Sequence, residues 1–435
     1  MNNPIRRWTN SLRLWLIVGI GIKRWLLLLA FATLLTGMGA LYFVVELVNN
    51  DIIPHAFYDI VTLRFLPSWL RIAFFLIFGI GLIILSLLRL GISLVAPFRQ
   101  PGEDVAATLV RYKRRNHGPR VVAIGGGTGM PSLLRGLKNH TTNITAIVTV
   151  ADDGGSSGRL RREFGVLPPG DFRNNIAALA RDEGMMTQLM QYRFGQSISA
   201  ETHSELSGHT LGNLLITALT GITGSFDEAL LNIDRVLAMR GKVMPSTLQE
   251  VQLSADIRIN GKLQRIVGES AIPKAAGKIE RLHLEPNPIR AYPPAIRAIL
   301  QADLVVMGPG SLYTSVLPNL LVPDIARALV ATRAVTVYIC NVAHQSGETD
   351  NYTVADHTAA IVQHTSADWL DCVIANNNFS YAPDTGGGKT QYVQLDQREG
   401  LPPAIGADLV MPESPWRHDS DKLAAQVINL LSADR

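Results

Sequence analysis

A doubly wound, mostly parallel α/β sheet preceded by two transmembrane helices is the fold class predicted here, and three observations carry it. Residues 1–99 contain long stretches of nearly uninterrupted apolar sequence, unlike the remainder of the chain. From Arg120 onward, short β-branched runs alternate with helical stretches, the rhythm of strands joined by crossover helices. The apolar runs Val121 to Ile124 and Ile144 to Val150 each empty into a glycine-rich polar loop, where ligands of such sheets lie.

Taken in chain order, residues 1–99 form a membrane region. Trp25 to Val48 reaches spanning length, as does Ile72 to Leu88, which extends through Val95 once Arg89 snorkels. A pair of buried core helices is the alternative. Leu14 to Ile22 is too short to span and lies at the interface or ends the first span. The shorter apolar core and small-residue cleavage site of a secretory signal are not evident. Arg6, Arg7, Arg13, Lys23 and Arg24 precede the first span and Arg99, Arg111, Lys113, Arg114 and Arg115 follow the second, whereas Arg64 and Arg71 between them stand beside Asp51 and Asp59. The bias of Lys and Arg toward the cytoplasmic side puts both termini and the soluble domain in the cytoplasm, at the cytoplasmic membrane. Residues 100–119 read as a basic juxtamembrane linker, suited to anionic lipid headgroups or simply solvated.

Residues 120–435 read as one nucleotide-binding α/β domain. Strands are expected at Val121 to Ile124, Ile144 to Val150, Asp303 to Met307, Val335 to Cys340 and Asp371 to Ala375. Helices are expected at Ser132 to Leu137, Asp171 to Arg181, Gly212 to Thr220, Phe226 to Met239, Pro294 to Ala302 and Asp356 to His364. Val251 to Ile259 and Leu263 to Val267, joined by Asn260-Gly261-Lys262, form a β-hairpin within a helical and hairpin insertion over residues 185–290.

Composition narrows the function. With 47% hydrophobic residues in 435, the chain can bury a large core, and its formal charge of +4 is modest; no nucleic-acid partner is expected. The two cysteines, Cys340 and Cys372, sit in apolar runs and read as buried thiols rather than a disulfide. The ten histidines show no zinc-binding spacing.

The chemistry sits in the loops. Gly125, Gly126, Gly127, Thr128 and Gly129 follow the first strand, where glycines let backbone N–H groups approach a phosphate and the next helix directs its positive end at the anion. A dinucleotide fingerprint would require glycine where Met130 stands, which weakens a standard NAD reading; a tight strand-to-helix turn needs the same glycines. After the second strand come Asp152, Asp153, Gly154, Gly155, Ser156, Ser157 and Arg159. One of the aspartates would accept hydrogen bonds from sugar hydroxyls, while the serines and Arg159 hold phosphate. Arg161 and Arg162 read as solvated helix charges. In Pro168-Pro169-Gly170-Asp171-Phe172-Arg173-Asn174, Asp171 is placed as a helix N-cap, and Asp171, Arg173 and Asn174 are candidate ligand contacts; alternatively Arg173 pairs with a surface acid. His209 and Asn213 begin a further helix and suit a sugar, phosphate or base, though a histidine at a helix start is often structural. Gly308, Gly310 and Ser311 repeat the glycine-loop logic after a later strand, and Asn341 follows another. No nucleophile or catalytic residue emerges. No cofactor is required; Mg²⁺ is permitted at Asp152 and Asp153, since that ion needs only one or two carboxylates.

At these residues the chain resembles the CofD/YvcK family, specifically the YvcK branch of gluconeogenesis factors. The likeness runs from about Arg120 to about Pro412 through VVAIGGGTGMPSLLRGL, VTVADDGGSSGRLRREF, LPPGDFRNNIAALA, GHTLGNLLITAL, ADLVVMGPGSLYTSVLPNLLV and YICNVAHQSGETDNYTVADH. It implies a Rossmann-like domain that binds a nucleotide sugar, UDP-N-acetylglucosamine, and regulates the link between carbon metabolism and cell-wall synthesis and cell shape, without established catalysis. Cell-wall synthesis or regulatory proteins are the implied partners, and a homo-oligomer is left open. Related enzymes are 2-phospho-L-lactate transferases, which join a phospholactyl-guanylyl donor to a deazaflavin. The chain departs from the family pattern N-V-M-T-Q at Asn341-Val342-Ala343-His344-Gln345, and in carrying a membrane hairpin.

Overall fold

The computed structural model describes residues 22–50, 54, 59–60, 62–95, 118–195, 205–237, 239–365, 369–381 and 391–433. Nearly all of the short apolar stretch ending at Ile22 lies outside them, as do Asp51, Arg6, Arg7, Arg13, Arg99, Arg111, Lys113, Arg114, Arg115 and most of the linker. The chain divides into two compact units, Met1–Arg114 and Arg115–Arg435.

In the first unit, two long helices are present, α1 (Ile22–Asn49) and α2 (Ser68–Val95). Within α1, Phe31–Asn49 is long and apolar enough to cross a membrane, and most of its side chains are exposed. Among the described residues it alone meets that test as a single helix. The stretch Ser68–Ile83 of α2 is apolar but shorter than a span.

The second unit holds twelve named strands in its described residues. In chain order they are β1 (Val121–Gly125), β2 (Ile144–Val148), β3 (Lys242–Pro245), β4 (Gln252–Ile259), β5 (Lys262–Val267), β6 (Lys278–Glu285), β7 (Leu304–Met307), β8 (Val335–Ile339), β9 (Cys372–Asn376), β10 (Ala404–Ala407), β11 (Val410–Met411) and β12 (Ser414–His418). Its helices are α3 (Met130–Leu137), α4 (Gly155–Phe164), α5 (Gly170–Leu179), α6 (Glu183–Gln191), α7 (Leu211–Thr223), α8 (Phe226–Leu237), α9 (Pro293–Gln301), α10 (Leu317–Leu320), α11 (Pro323–Ala331), α12 (Val354–His364) and α13 (Ser420–Ala433).

Seven strands form the main sheet in the spatial order β10-β9-β8-β7-β1-β2-β3, every neighbouring pair parallel. Val121 pairs with Ile144 on one side and with Leu304 on the other. The central strands are apolar because both faces are covered: β1, β7 and β9 are buried along their whole length. Cys340 and Cys372 are buried free thiols in this core.

The chain runs outward from β1 through β2 to β3, then returns to the other side of β1 and runs outward again through β7, β8, β9 and β10. The switch in direction falls between β1 and β7, the place where ligands of open α/β sheets bind. Helices α3, α5, α11 and α12 bury apolar side chains against the sheet core.

Three features depart from the sequence-based expectation. The stretch 185–290 is not one insertion, because β3 within it completes the main sheet; its four residues, Lys-Val-Met-Pro, are too few to give an alternation signal. The hairpin of β4 and β5 gains a third strand, β6, in the antiparallel order β5-β4-β6. The charged outer face of β6 hides its inward pair, Ile279 and Leu282, from a simple count of apolar residues. Finally, Gly155-Ser156-Ser157-Gly158, read as loop, is the first turn of α4.

Candidate functional site

The glycine run that ends β1 and the Gly-Pro-Gly run that ends β7 pack directly on one another. A Cβ on Gly129 would lie 2.6 Å from the Pro309 carbonyl oxygen, and one on Gly310 would lie 3.2 Å from the Gly126 oxygen. A Cβ on Gly126 would stand 2.5 Å from the Asp171 carboxylate and 2.8 Å from the Thr149 methyl. Loop-on-loop contact therefore accounts for these glycines without a ligand, a different cause from the phosphate approach expected from the sequence. The Gly125 carbonyl accepts from Asn319 Nδ2 at 3.1 Å. Gly127 has a positive φ of 65°, and Thr128 is exposed at the loop tip. Asn341, two residues past β8, clamps the second loop: its Nδ2 donates to the Gly310 carbonyl at 3.0 Å and its Oδ1 accepts from the Gly310 N–H at 3.2 Å. Gly308 precedes a cis proline, and the Ser311 carbonyl accepts from the N–H groups of Ser315 and Val316 in the π-type turn Leu312–Val316.

The loop after β2 meets the same edge. Asp152 accepts from the Gly154 N–H at 2.9 Å, and burial raises its carboxyl above the ordinary range. Asp153 accepts from the Ser270 N–H at 3.0 Å, so its carboxylate holds the β5–β6 connection against the site. Gly154 takes the cap position of α4, and Gly155, at φ 48°, opens it. Ser157 accepts from the Gly170 N–H at 3.1 Å. The Ser156 Oγ lies 2.9 Å from His209 Nδ1 and accepts from Asn213 Nδ2 at 3.0 Å. Burial, with Arg159 nearby, lowers the His209 pKa and favours the neutral imidazole. Arg159 itself is exposed and donates to the Ser207 carbonyl at 3.0 Å.

Helix α5 supplies the next group. Pro169, not Asp171, occupies its cap; Asp171 sits in the first turn, where burial raises its carboxyl to about 6 while the Gly127 N–H and Arg173 oppose the shift. The N-cap assignment fails because the Asp171 side chain turns to the glycine loop instead of to its own helix. Among the described residues Arg173 forms no ion pair. It donates to Thr210 Oγ1 at 2.8 Å, to Asn213 Oδ1 at 3.1 Å and to Asn174 Oδ1 at 2.9 Å, tying α5 to α7. Arg161, expected to be solvated, has a largely buried side chain, with Nη2 donating to the Val251 carbonyl at 2.6 Å and Nε meeting Glu250 at 3.1 Å. Arg162 is exposed as expected.

Two carboxyls at this edge were not singled out from the sequence. Glu348, buried, accepts from the Tyr313 N–H at 3.3 Å, from Thr314 Oγ1 at 3.2 Å and from Gln345 Nε2 at 2.7 Å, and burial lifts it to about 7. Glu269, beside the Ser270 tether, is raised to about 8 by burial and then by the charges of Asp152, Asp153, Asp171 and Glu348. Glu348 lies within the block YICNVAHQSGETDNYTVADH, so its position is open to notice; Glu269, in the connection from β5 to β6, gives no signal. Acids from several separate segments thus act on one another next to the glycine loops. Asp152 and Asp153 are each turned to a different backbone N–H, and no group of three or more His, Cys, Asp or Glu among the described residues is placed to hold a metal ion.

Glycine loops meeting at the switch point of a parallel sheet, with acids and hydrogen-bonded amides beside them, define a Rossmann-like α/β protein. Residues 121–409 match the family described as 2-phospho-L-lactate transferase CofD, and the chain belongs to that family, in its YvcK or gluconeogenesis-factor branch. The gluconeogenesis factor of Bacillus subtilis is 43% identical over 324 residues, covering 72% of this chain and 98% of the relative. A relative from Clostridium acetobutylicum, named a putative gluconeogenesis factor, is 38% identical over 441 residues, covering 96% of this chain and 91% of its own, so the likeness reaches into the N-terminal unit there. The crystal structure of a UPF0052 family protein from Bacillus halodurans is similar with a TM-score of 0.65 and 42% identity, over 71% of this chain and 99% of that one.

Proposed function

We propose that this protein is a nucleotide-sugar sensor without turnover, anchored at the cytoplasmic membrane, that links carbon metabolism to cell-wall synthesis and cell shape. The ligand is UDP-N-acetylglucosamine or a close relative. The observation that carries this reading is the meeting of loops from the adjacent strands β2, β1 and β7 at the switch point, where a diphosphate would find backbone donors and a sugar would find carboxyl acceptors. Gly127, Thr128, Ser311, Asp152 and Asp171 are the contacts expected at the ligand, while Ser156, Arg173, Asn174, His209, Asn213 and Asn341 hold the crevice in shape. Both termini face the cytoplasm, with spans over residues 25–48 and 72–95; cell-wall or regulatory proteins and membrane lipids are the partners. Titrating the full chain in detergent with UDP-N-acetylglucosamine by calorimetry tests the ligand. Saturable binding lost in Asp171→Ala agrees with the proposal, and no heat up to millimolar ligand opposes it.

A second reading follows from the description of the matched family, a phospholactate transferase. Incubation with a phospholactyl-guanylyl donor and a deazaflavin acceptor decides it, because product formation would make the protein an enzyme.

A further inference from the structure

A cavity of about 630 Å³ lies at the opposite edge of the main sheet, against the first residues of β1 and β2, away from the glycine loops. Val121, Val122, Ile144 and Thr145 line it, whereas the loops described above leave the other ends of those strands. A five-residue strand separates the two ends by about 15 Å. The volume falls within the range of small-molecule sites.

Its walls are chemically divided. Lys242 on β3 and Arg297 on α9 bring cations from two different elements, and neither forms an ion pair with any described residue. Arg120 adds a third cation, already held by Asp303 at 2.9 Å. Asp234, from α8, is the acid in the lining, its carboxyl raised by partial burial against the opposing pull of Lys242. Met239 and Met244 supply an apolar surface.

Two cations that make no ion pair with a described residue suit one phosphate, a carboxylate accepts hydroxyl hydrogen bonds, and thioether side chains cover the apolar face of a ring or chain. We propose that this cavity is a second ligand site for a small phosphorylated sugar or polyol. The phosphate sits between Lys242 and Arg297, and hydroxyls reach Asp234.

Glucose 6-phosphate, glycerol 3-phosphate and the soluble short-chain lipid dihexanoyl phosphatidylglycerol, titrated separately into the full chain in detergent, test the proposal. Saturable binding of a soluble ester assigns the site to a free metabolite, and binding of the lipid alone assigns the same phosphate chemistry to a headgroup. In either case Lys242→Glu and Arg297→Glu should each weaken binding about tenfold or more. Ala298→Trp, which fills the cavity from α9, should abolish it. If the charge reversals unfold the chain, Lys242→Gln and Arg297→Gln carry the test, with a loss of several-fold expected. No saturable binding of any of the three compounds, or binding indifferent to these substitutions in folded protein, overturns the proposal.

Discussion

Replacing Glu269 by Gln should stabilise the second unit above neutral pH and flatten its pH dependence. The Glu269 carboxyl stands at about 8 in the folded protein against an ordinary 4.5, first through burial and then through Asp152, Asp153, Asp171 and Glu348. At acid pH both folded and unfolded chains hold this proton, and the residue costs nothing. As pH rises above 4.5 the unfolded chain releases it while the folded chain retains it, so stability falls until the folded carboxyl also ionises near pH 8. At roughly 1.4 kcal/mol per pH unit, the full interval gives an upper figure of about 5 kcal/mol, and residual solvation of the half-buried group brings the expected gain to about 2–4 kcal/mol at pH 8. Glu348 and Asp171 titrate lower, at about 7 and about 6, so between pH 7 and 8 the decline belongs mainly to Glu269 and amounts to about 1 kcal/mol. Urea unfolding followed by tryptophan fluorescence at pH 6, 7 and 8 measures it. An equal decline in wild type and Glu269→Gln between pH 7 and 8 would refute the placement of this carboxyl among the other acids.

Three further outcomes follow from the same geometry. Gly129→Ala forces a methyl to within 2.6 Å of the Pro309 carbonyl oxygen, where only backbone can give way, and should lower stability by about 1–3 kcal/mol in the same unfolding assay. Asn341→Ala removes both hydrogen bonds to Gly310 and should cost about 1–3 kcal/mol, seen also as faster amide exchange at residues 310–312. Asp153→Ala releases the Ser270 N–H, so trypsin should cut sooner at Lys274 and UDP-N-acetylglucosamine binding should weaken by about 1–3 kcal/mol; unchanged cleavage and affinity would remove Asp153 from the site.

The central sheet was legible because parallel strands buried on both faces read as short apolar runs, and β1, β2, β7, β8 and β9 all fall within two residues of where such runs begin and end. Short strands escaped: β3 and β10 have four residues each, and the charged outer face of β6 masked its inward Ile279 and Leu282. The meeting of the loops at one edge followed from the rule that ligands gather at the carboxyl ends of strands, and Gly126, Gly310 and Asp171 do lie together. What each side chain does there was harder to read. Asp171 in a Pro-Pro-Gly-Asp turn has the pattern of an N-cap, yet its carboxylate faces Gly126; only the tertiary packing of α5 decides between them. The first turn of α4, Gly-Ser-Ser-Gly, lacks helix formers and is held by tertiary hydrogen bonds, Asn213 Nδ2 donating to Ser156 Oγ and His209 Nδ1 pairing with the same oxygen. Glu269 becomes part of the acidic group only through the distant tether of Ser270 to Asp153.

The sharpest check on the nucleotide-sugar site is a crystal structure of the protein soaked with UDP-N-acetylglucosamine. Diphosphate density is expected along the outer rim of the packed Gly127–Gly129 and Gly310–Ser311 loops, with sugar hydroxyls at Asp152 or Asp171. Density for the nucleotide sugar at any other face of the molecule, with that crevice holding solvent alone, would contradict the proposed function.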